Sequence, residues 1–480
     1  MVLKLFDQHF GRGYRVYEKS LRTTEDASAF LVKGEEGKRL VVVSEKTLDF
    51  SFEKRYEIEG KIFLFCKMDY ENLEKLIKLF PELKPTVCGL KPSFGTGDRL
   101  GITTPAHVRA LEGTGVFPVF AQQSVRENER TGRTWRDVLA DAVWGVFQEG
   151  YRGEFGADAD HVKREEDLLK AAEEGFTMFT IDPSEHVRNL SKLSEREKNE
   201  ILEKTLKKDR VDRRYLGKRY TILGEKFEFD EKTLRDAVVL YYDAIAHVEM
   251  MYQLLRERTR EFDLEVSVDE TETPTAPLHH IFIVEELRRR GVEFTNLALR
   301  FVGDWEKGVD YKGDVKAFER EIRIHAEIAR MLQGYKLSLH SGSDKFSIYR
   351  PFALATQGLF HVKTAGTSYL EAIKVVSMVS PSLYREIHRV ALENFEKDRK
   401  SYFISAELSK IPDAEGIRDE ELPKLFEDPN VRQLVHVTYG SVLKDTELKK
   451  KIFEVLEKNE ELFYEVVKNH IEKHIKLLKG

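Results

Sequence analysis

Groups that can bind a metal ion or transfer a proton recur in five short segments of this chain. Each segment lies at the end of an apolar run and combines carboxylates, imidazoles, hydroxyls or lysines. The segments are residues 158–163, 182–186, 269–274, 340–345 and 361–367. Neutral imidazoles and carboxylates that converge on one point can hold a divalent cation. The pattern therefore predicts a metal-dependent enzyme whose site is assembled from distant parts of the chain.

His161 and His340 are the residues that we expect to ligate the metal, because each lies at a predicted strand end and near an acid. A single histidine in such a place would more often be structural, but two of them favour a shared ion. Imidazole and carboxylate ligands suit several cations. We predict one divalent metal cation, which would be Zn, Fe, Mn, Co or Ni.

A scaffold must bring the five segments together. Beyond residue 85, short apolar runs alternate with helical stretches, a pattern typical of a parallel sheet. The eight predicted strands are 86–90, 116–121, 154–157, 177–181, 264–268, 296–301, 336–339 and 360–362. Eight such units predict an α/β fold of the (β/α)8 TIM-type, with the site at the carboxyl ends of the strands. An open doubly wound sheet is the alternative.

Three regions fall outside the eight-unit pattern. Residues 1–80 are predicted to form a small N-terminal α/β extension before the catalytic barrel of residues 81–380. The barrel carries a helical insertion at about 187–262, and residues 381–480 are predicted to be a C-terminal helical region packed on the barrel. No internal repeat or Gly/Ser linker separates these parts.

Composition narrows the class of protein. The hydrophobic fraction of 41% excludes a disordered chain, and a net charge of −6 argues against a nucleic-acid-binding protein. With only two cysteines and neither a signal peptide nor a run long enough for a membrane span, we expect a cytoplasmic protein. A homo-oligomer is compatible with this composition.

Two segments resemble motifs of class II, metal-dependent aldolases. Asp160 and His161 are similar to an Asp-His pair that ends a barrel strand in that family, and residues 339–343, Leu-His-Ser-Gly-Ser, are similar to its Leu-His-Gly-Gly-Ser. The resemblance implies that both histidines bind metal. The position that matches a third ligand histidine carries Glu306, so we expect Glu306 to be the third ligand.

Longer segments resemble the tagaturonate epimerase family over essentially the whole chain. They are residues 155–163, 179–183, 268–271, 338–346 and 361–372. The resemblance implies a divalent metal and the interconversion of D-tagaturonate and D-fructuronate in hexuronate catabolism. The alternatives are a class II-type aldolase or an aldose–ketose isomerase that acts on a sugar acid, and a non-catalytic protein that binds one.

The implied reaction constrains the catalytic groups. The inverted carbon is not adjacent to the ketone, so enolisation cannot invert it. Transient oxidation would need a nicotinamide, but residues 95–101 lack the GxGxxG spacing. Retro-aldol cleavage and re-closure remain, and proton transfer on two faces favours two carboxyl groups. We assign this role to Asp160 and Glu270.

The substrate carboxylate and hydroxyls need polar partners. Hydroxyls and lysines of the segments after residues 339 and 362 could bind the carboxylate. Polar residues after the turn at 95–97 and after the second predicted strand could bind hydroxyls or the carboxylate. The predicted substrate contacts are Asp98, Arg99, Gln123, Ser124, Asp182, Arg300, Ser341, Ser343, Lys345, Lys363 and Thr364.

Overall fold

A computed structural model describes residues 2–479. Its N-terminal part is an antiparallel five-stranded sheet of strand order β1-β2-β3-β5-β4, flanked by helices. Phe6 of the first helix packs against Phe30 and Phe63 of the sheet. The elements are α1 (Val2–Phe10), β1 (Arg15–Thr23), β2 (Ala27–Gly34), β3 (Gly37–Ser44), β4 (Phe52–Ile58), β5 (Lys61–Cys66) and α2 (Tyr70–Leu79).

The next segment forms the first half of a barrel. Its strands are almost wholly buried, as expected where helices cover a parallel sheet. Ser124 and Glu127 form a capping box that starts one of the helices. The elements are β6 (Ser93–Gly97), α3 (Thr104–Leu111), β7 (Phe117–Ser124), α4 (Val125–Thr131), α5 (Trp135–Gln148), β8 (Gly156–Val162), α6 (Glu165–Glu174) and β9 (Met178–Ile181).

A long connection then contains α7 (Glu195–Lys208), α8 (Val211–Tyr215), the hairpin β10 (Arg219–Ile222) and β11 (Glu225–Glu228), and α9 (Glu231–Arg258). The second half of the barrel consists of β12 (Asp263–Ser267), α10 (Pro277–Arg289), β13 (Asn296–Ala298), α11 (Val315–Met331), β14 (Lys336–Leu339), α12 (Phe346–Thr356), β15 (Phe360–Thr364) and α13 (Thr367–Val379). Helix α9 contacts both α6 and α10, so it takes the place of the outer helix between the fourth and fifth barrel strands.

The eight parallel strands close on themselves, because β15 pairs with β6. This closure confirms the predicted (β/α)8 barrel and excludes the open sheet. Three of the polar segments, 182–186, 269–274 and 340–345, begin beyond the carboxyl end of a barrel strand, and the other two, 158–163 and 361–367, include the carboxyl ends of β8 and β15.

The predicted first strand, 86–90, is wrong. That segment is a turn below the barrel, where the Gly89 N–H donates to Asp263 Oδ1 (3.0 Å), and the true first strand is β6. Its sequence Ser-Phe-Gly-Thr-Gly has little strand propensity. Gly97 is required by packing, since a Cβ at this position would lie 2.7 Å from the Cα of Ala365.

The C-terminal region is helical and packs on the barrel through α3, α12 and α13. Its helices are α14 (Pro381–Asp398), α15 (Pro429–Lys444), α16 (Thr446–Lys458) and α17 (Glu460–Lys479). Short 3-10 turns occur at Pro81–Leu83, Ser184–His186, Leu190–Lys192, Arg399–Ser401, Leu408–Lys410, Ala414–Gly416 and Asp419–Glu427. None of the helices within residues 2–479 combines the length and apolar character needed to span a bilayer.

Candidate active site

The two imidazoles predicted as metal ligands meet at the carboxyl end of the barrel. The rings of His161 and His340 stack with their centroids 4.0 Å apart and an interplanar angle of 23°. His161 has a left-handed backbone conformation, with φ of 52°. This conformation costs a non-glycine residue about 1–2 kcal/mol. It marks the point where β8 leaves its extended path and turns the imidazole toward the barrel mouth.

Each imidazole is oriented by an outer carboxylate. His161 Nδ1 lies 2.9 Å from Asp182 Oδ2. His340 Nδ1 lies 3.1 Å from Ser267 Oγ and 3.4 Å from Asp269 Oδ1. Metal-binding histidines commonly direct one ring nitrogen to such a partner and the other to the ion. Both Nε2 atoms therefore remain for other contacts.

Asp160 completes a compact group with the two histidines. Its Oδ1 lies 2.9 Å from His340 Nε2, and one possible ligand atom from each of the three residues lies within 4.8 Å of the others. Burial lowers the pKa of His340, but the carboxylates of Asp269 and Asp160 outweigh it and raise that pKa well above its usual value. This donor set fits a divalent cation, which would relieve the concentration of negative charge around the rings.

A second group shares one of these histidines. His161, Asp182 and Glu270 also have possible ligand atoms within 4.8 Å of one another. The Glu270 side chain is 46% exposed and lies 3.9 Å from Lys163 Nζ. The predicted catalytic carboxyls therefore differ: Asp160 is buried, whereas Glu270 lies at the open rim of the site.

A buried lysine lies directly beneath the imidazole pair. Lys363 Nζ lies 2.7 Å from Asp158, 2.8 Å from Asp160 and 3.2 Å from Glu265. Burial lowers the pKa of Lys363, but the three carboxylates raise it by more than burial lowers it. The pKa of Lys363 is therefore above its usual value. The lysine thus neutralises a carboxylate layer inside the barrel rather than pointing into open solvent.

Glu306 does not join the imidazole pair. Its Oε2 accepts hydrogen bonds from Lys312 Nζ (2.9 Å), Ser405 Oγ (2.8 Å) and Gln433 Nε2 (2.7 Å). Although Glu306 lines the same cavity as the imidazoles, its carboxylate is directed to the C-terminal region. The structure therefore brings Asp160, and not Glu306, to the predicted ligand histidines.

Three predicted substrate contacts line neither the cavity of the imidazoles nor the two that adjoin it. Asp98 stabilises its own loop by accepting from the backbone N–H groups of Leu100, Gly101 and Thr103. The Thr364 hydroxyl donates to Gly95 O (2.8 Å). Gln123 does not line the cavity, whereas its neighbour Gln122 does. Their roles as substrate contacts stay predictions.

Other predicted contacts do reach the site. The cavity that contains both imidazoles is lined by Arg99, Ser124, Ser341, Ser343, Lys345 and Lys363. Asp182 lines an adjoining cavity beside His161, and Arg300 another beside His340. Burial lowers the pKa of Lys345 to about 8, while its Nζ donates to the carbonyls of Glu306 (2.8 Å) and Val309 (2.6 Å).

Several residues of the cavity were not predicted from the sequence. Arg126 and Lys307 line it, as do Tyr402 and His436 from the C-terminal region. Lys307 directly follows Glu306, the position that matches the third aldolase ligand, so its place in the sequence was a usable signal. Tyr402 lies in an irregular segment, which has no periodicity that would place it at the barrel mouth.

The C-terminal region also holds the loop after β14. His470 Nε2 lies 2.6 Å from Asp344 Oδ1, and the Asp344 backbone N–H donates to His474 Nε2 (3.2 Å). Arg432 Nη2 lies 3.1 Å from Asp344 Oδ2. Asp344 has a φ of 61°, so these partners stabilise a loop conformation that an aspartate seldom adopts.

Comparison with known proteins identifies the family. A family model described as UxaE, tagaturonate epimerase, matches residues 17–478. The chain belongs to the tagaturonate epimerase family. A member of this family, the tagaturonate/fructuronate epimerase of Thermotoga maritima, is 70% identical over the full length of both chains.

Solved structures of the tagaturonate epimerase family share the fold. The glycerol-complexed fructuronate-tagaturonate epimerase UxaE from Cohnella laeviribosi is 36% identical, with a TM-score of 0.93 over 100% of this chain and 99% of that one. The native crystal structure of the same enzyme gives a TM-score of 0.92 at 36% identity, with 99% of both chains covered.

Proposed function

We propose that this protein is an isomerase that interconverts D-tagaturonate and D-fructuronate. The observation that carries the proposal is the paired imidazoles, each with a carboxylate partner, in a chain that matches the Thermotoga maritima epimerase from end to end. Cationic side chains line the same cavity, which suits an anionic sugar acid. The small-molecule substrate would enter at the carboxyl ends of the barrel strands.

One divalent cation is part of the proposal. His161, His340 and Asp160 would hold it, because their possible ligand atoms cluster and the outer partners orient both rings. When bound, such an ion would supply Lewis acidity for a ketone oxygen. The substrate would then be oriented by the imidazoles and by the cationic side chains that line the same cavity.

The inversion is proposed to proceed by carbon–carbon bond cleavage, rotation of the aldehyde fragment and re-closure. Glu270 would remove the proton from the hydroxyl of the inverted carbon and return it after rotation, because its carboxylate lies at the accessible rim. Burial raises the pKa of Asp160, but Lys363 and His340 bring it well below the usual value. We therefore propose that Asp160 stays ionised and binds the cation, and that it does not transfer the proton.

Incubation with D-tagaturonate in deuterated water tests the proposal. We expect fructuronate to form, with no deuterium at the inverted carbon, and we expect a chelator to abolish turnover and added metal to restore it. Failure to form fructuronate would refute the function. Full activity in metal-free protein would refute the metal, and deuterium at that carbon would refute bond cleavage.

Product analysis separates the epimerase from the other enzymes considered. A net aldolase would accumulate three-carbon fragments, and an aldose–ketose isomerase would form an aldose. The epimerase predicts only the second hexulosonate, with the carbon skeleton conserved.

A further inference from the structure

The cations at the active site fall into two classes. Lys363 is neutralised by three carboxylates, Arg99 lies 2.9 Å from Glu127, and Lys345 donates to backbone carbonyls. Arg126 and Lys307 have no carboxylate within 4.0 Å among residues 2–479. No direct ion pair within the described residues therefore holds either cation, although Glu127 and Glu270 act on both at longer range.

Arg126 has few partners of its own. Its Nη1 lies 3.4 Å from the carbonyl of Ser401, and its guanidinium lies 4.9 Å from the ring centroid of Tyr402. Its Nε is buried and has no hydrogen-bond acceptor. A buried N–H without an acceptor costs about 1–3 kcal/mol, so an anion that accepts from this atom would be stabilised.

Lys307 faces the same space. Its Nζ donates to Ser341 Oγ (2.7 Å), and it lines both cavities that Arg126, His161 and His340 line. Burial, and then the nearby charge of Arg126, lower the pKa of Lys307. Two like charges on one wall are unfavourable unless an anion lies between them.

We propose that Arg126 and Lys307 bind the carboxylate of the sugar acid. This inference rests on the proposed function and names the part of the site that selects an acid over a neutral sugar. Arginine presents paired donors that match a carboxylate, and lysine adds a point charge. From the sequence, the carboxylate was expected to bind at Ser341, Ser343, Lys345 and Lys363. In the present proposal it binds at Arg126 and Lys307, and of the expected residues only Ser341, which contacts Lys307, remains part of the site.

The anchor also has a mechanistic use. The imidazole pair lines the same cavity as the two cations, so a carboxylate held by them leaves the rest of the substrate facing His161 and His340. If the carbon chain is cleaved, the aldehyde fragment carries the carboxylate. The two cations would then retain that fragment while it rotates.

Arg126→Met, Lys307→Met and the double variant test the anchor. We expect each single change to raise KM for D-tagaturonate about tenfold or more, the loss expected for one charge-assisted hydrogen bond. We also expect the KM of Arg126→Lys to lie between the KM of the wild type and that of Arg126→Met. The rise of KM with salt should become shallower in the double variant, which a purely structural defect would not cause.

Arg130→Met is the matched control. Arg130 donates to the Tyr402 hydroxyl (2.7 Å) and to Ser401 Oγ (2.7 Å), yet it does not line the cavity. We expect its KM to stay close to the wild-type value. An equal rise of KM in Arg130→Met would overturn the anchor, because the effect would then arise from displacement of Tyr402.

Calorimetric titration with D-tagaturonate separates the two proposals. If the wild type forms no fructuronate but binds the acid, and the double variant does not, the function fails and the anchor stands. If the wild type is active and the folded double variant keeps its KM and affinity, the anchor is overturned and the function stands.

Discussion

The imidazole rings of His161 and His340 lie nearly parallel across the barrel mouth, with a centroid distance of 4.0 Å. Two rings from β8 and the end of β14 reach this distance because the closed sheet brings their carboxyl ends together. We expect His161→Ala and His340→Ala to lose the bound metal, measured as metal content per chain after purification. Loss of a ligand leaves too few donors to retain the ion.

A second stacked pair provides the control for that experiment. The rings of His186 and His247 are 4.2 Å apart at an angle of 22°, but within residues 2–479 no third ligating group joins them. His186→Ala should keep the wild-type metal content. A metal content that stays unchanged in both His161→Ala and His340→Ala would contradict the proposed ligands.

Glu270→Gln separates proton transfer from binding. The amide cannot accept the hydroxyl proton, so we expect kcat to fall by about 10²–10⁴-fold, the usual contribution of a general acid–base group. KM and metal content should change little, because the rim position of Glu270 lies outside the imidazole–Asp160 group. Near-normal turnover in steady-state kinetics would remove Glu270 from the mechanism.

Lys363→Met should destabilise the barrel. The change leaves Asp158, Asp160 and Glu265 without their shared cation, and breaking a buried ion pair costs about 3–5 kcal/mol. The free energy of unfolding in denaturant measures the loss. Lys170→Met removes an exposed pair with Glu166 and should leave stability unchanged. If the two variants lost the same stability, the ion pairs of Lys363 inside the barrel would not be strongly stabilising.

Glu321 should make stability depend on pH. Burial raises the pKa of Glu321 from 4.5 to about 7, although its carboxylate accepts from the Val302 N–H (2.7 Å). The folded state therefore holds this proton more tightly, and the corresponding stability is lost as pH rises from about 4.5 through 7. Glu321→Gln should be the more stable protein at pH 8, by of order 1 kcal/mol, and similar to wild type at pH 4. Parallel pH–stability curves would argue against the raised pKa.

The anchor variants should release a fragment if the carbon chain is cleaved. In the Arg126→Met/Lys307→Met protein, the three-carbon aldehyde acid loses its ionic contacts and escapes before re-closure. We expect it to accumulate beside fructuronate, detectable by trapping with a hydrazine and chromatography. Wild type should release none. A variant that turns over slowly without any fragment would favour an inversion route that keeps the bond intact.

The alternation of apolar runs and helices was sufficient to predict the barrel, because successive parallel strands need a crossover helix between them. The first strand was missed since Gly95 and Gly97 replace the expected branched residues there. At the site, Asp160, His161 and His340 were predictable from their places at strand ends. Their mutual orientation was not, because it depends on the left-handed backbone of His161.

The places of Gln123 and Glu306 depend on features that the sequence does not reveal. A bulge between Val119 and Ala121 shifts the pairing of β7 with β8, and Gln122 then aligns with Asp158. Sequence alone does not reveal that shift, so it does not show which of the neighbours Gln122 and Gln123 lines the cavity. Glu306 was assigned from a motif match, but Gln433 and Ser405, which hold its carboxylate, belong to the C-terminal region.

The contacts of Asp344 have a consequence for biosynthesis. The loop that carries Ser341 and Ser343 is held through Asp344 by His470 and His474. During translation the barrel strands emerge first, but this loop lacks its contacts with His470 and His474 until α17 has left the ribosome and packed on the barrel. A nascent chain with a complete barrel would therefore still lack a finished active site.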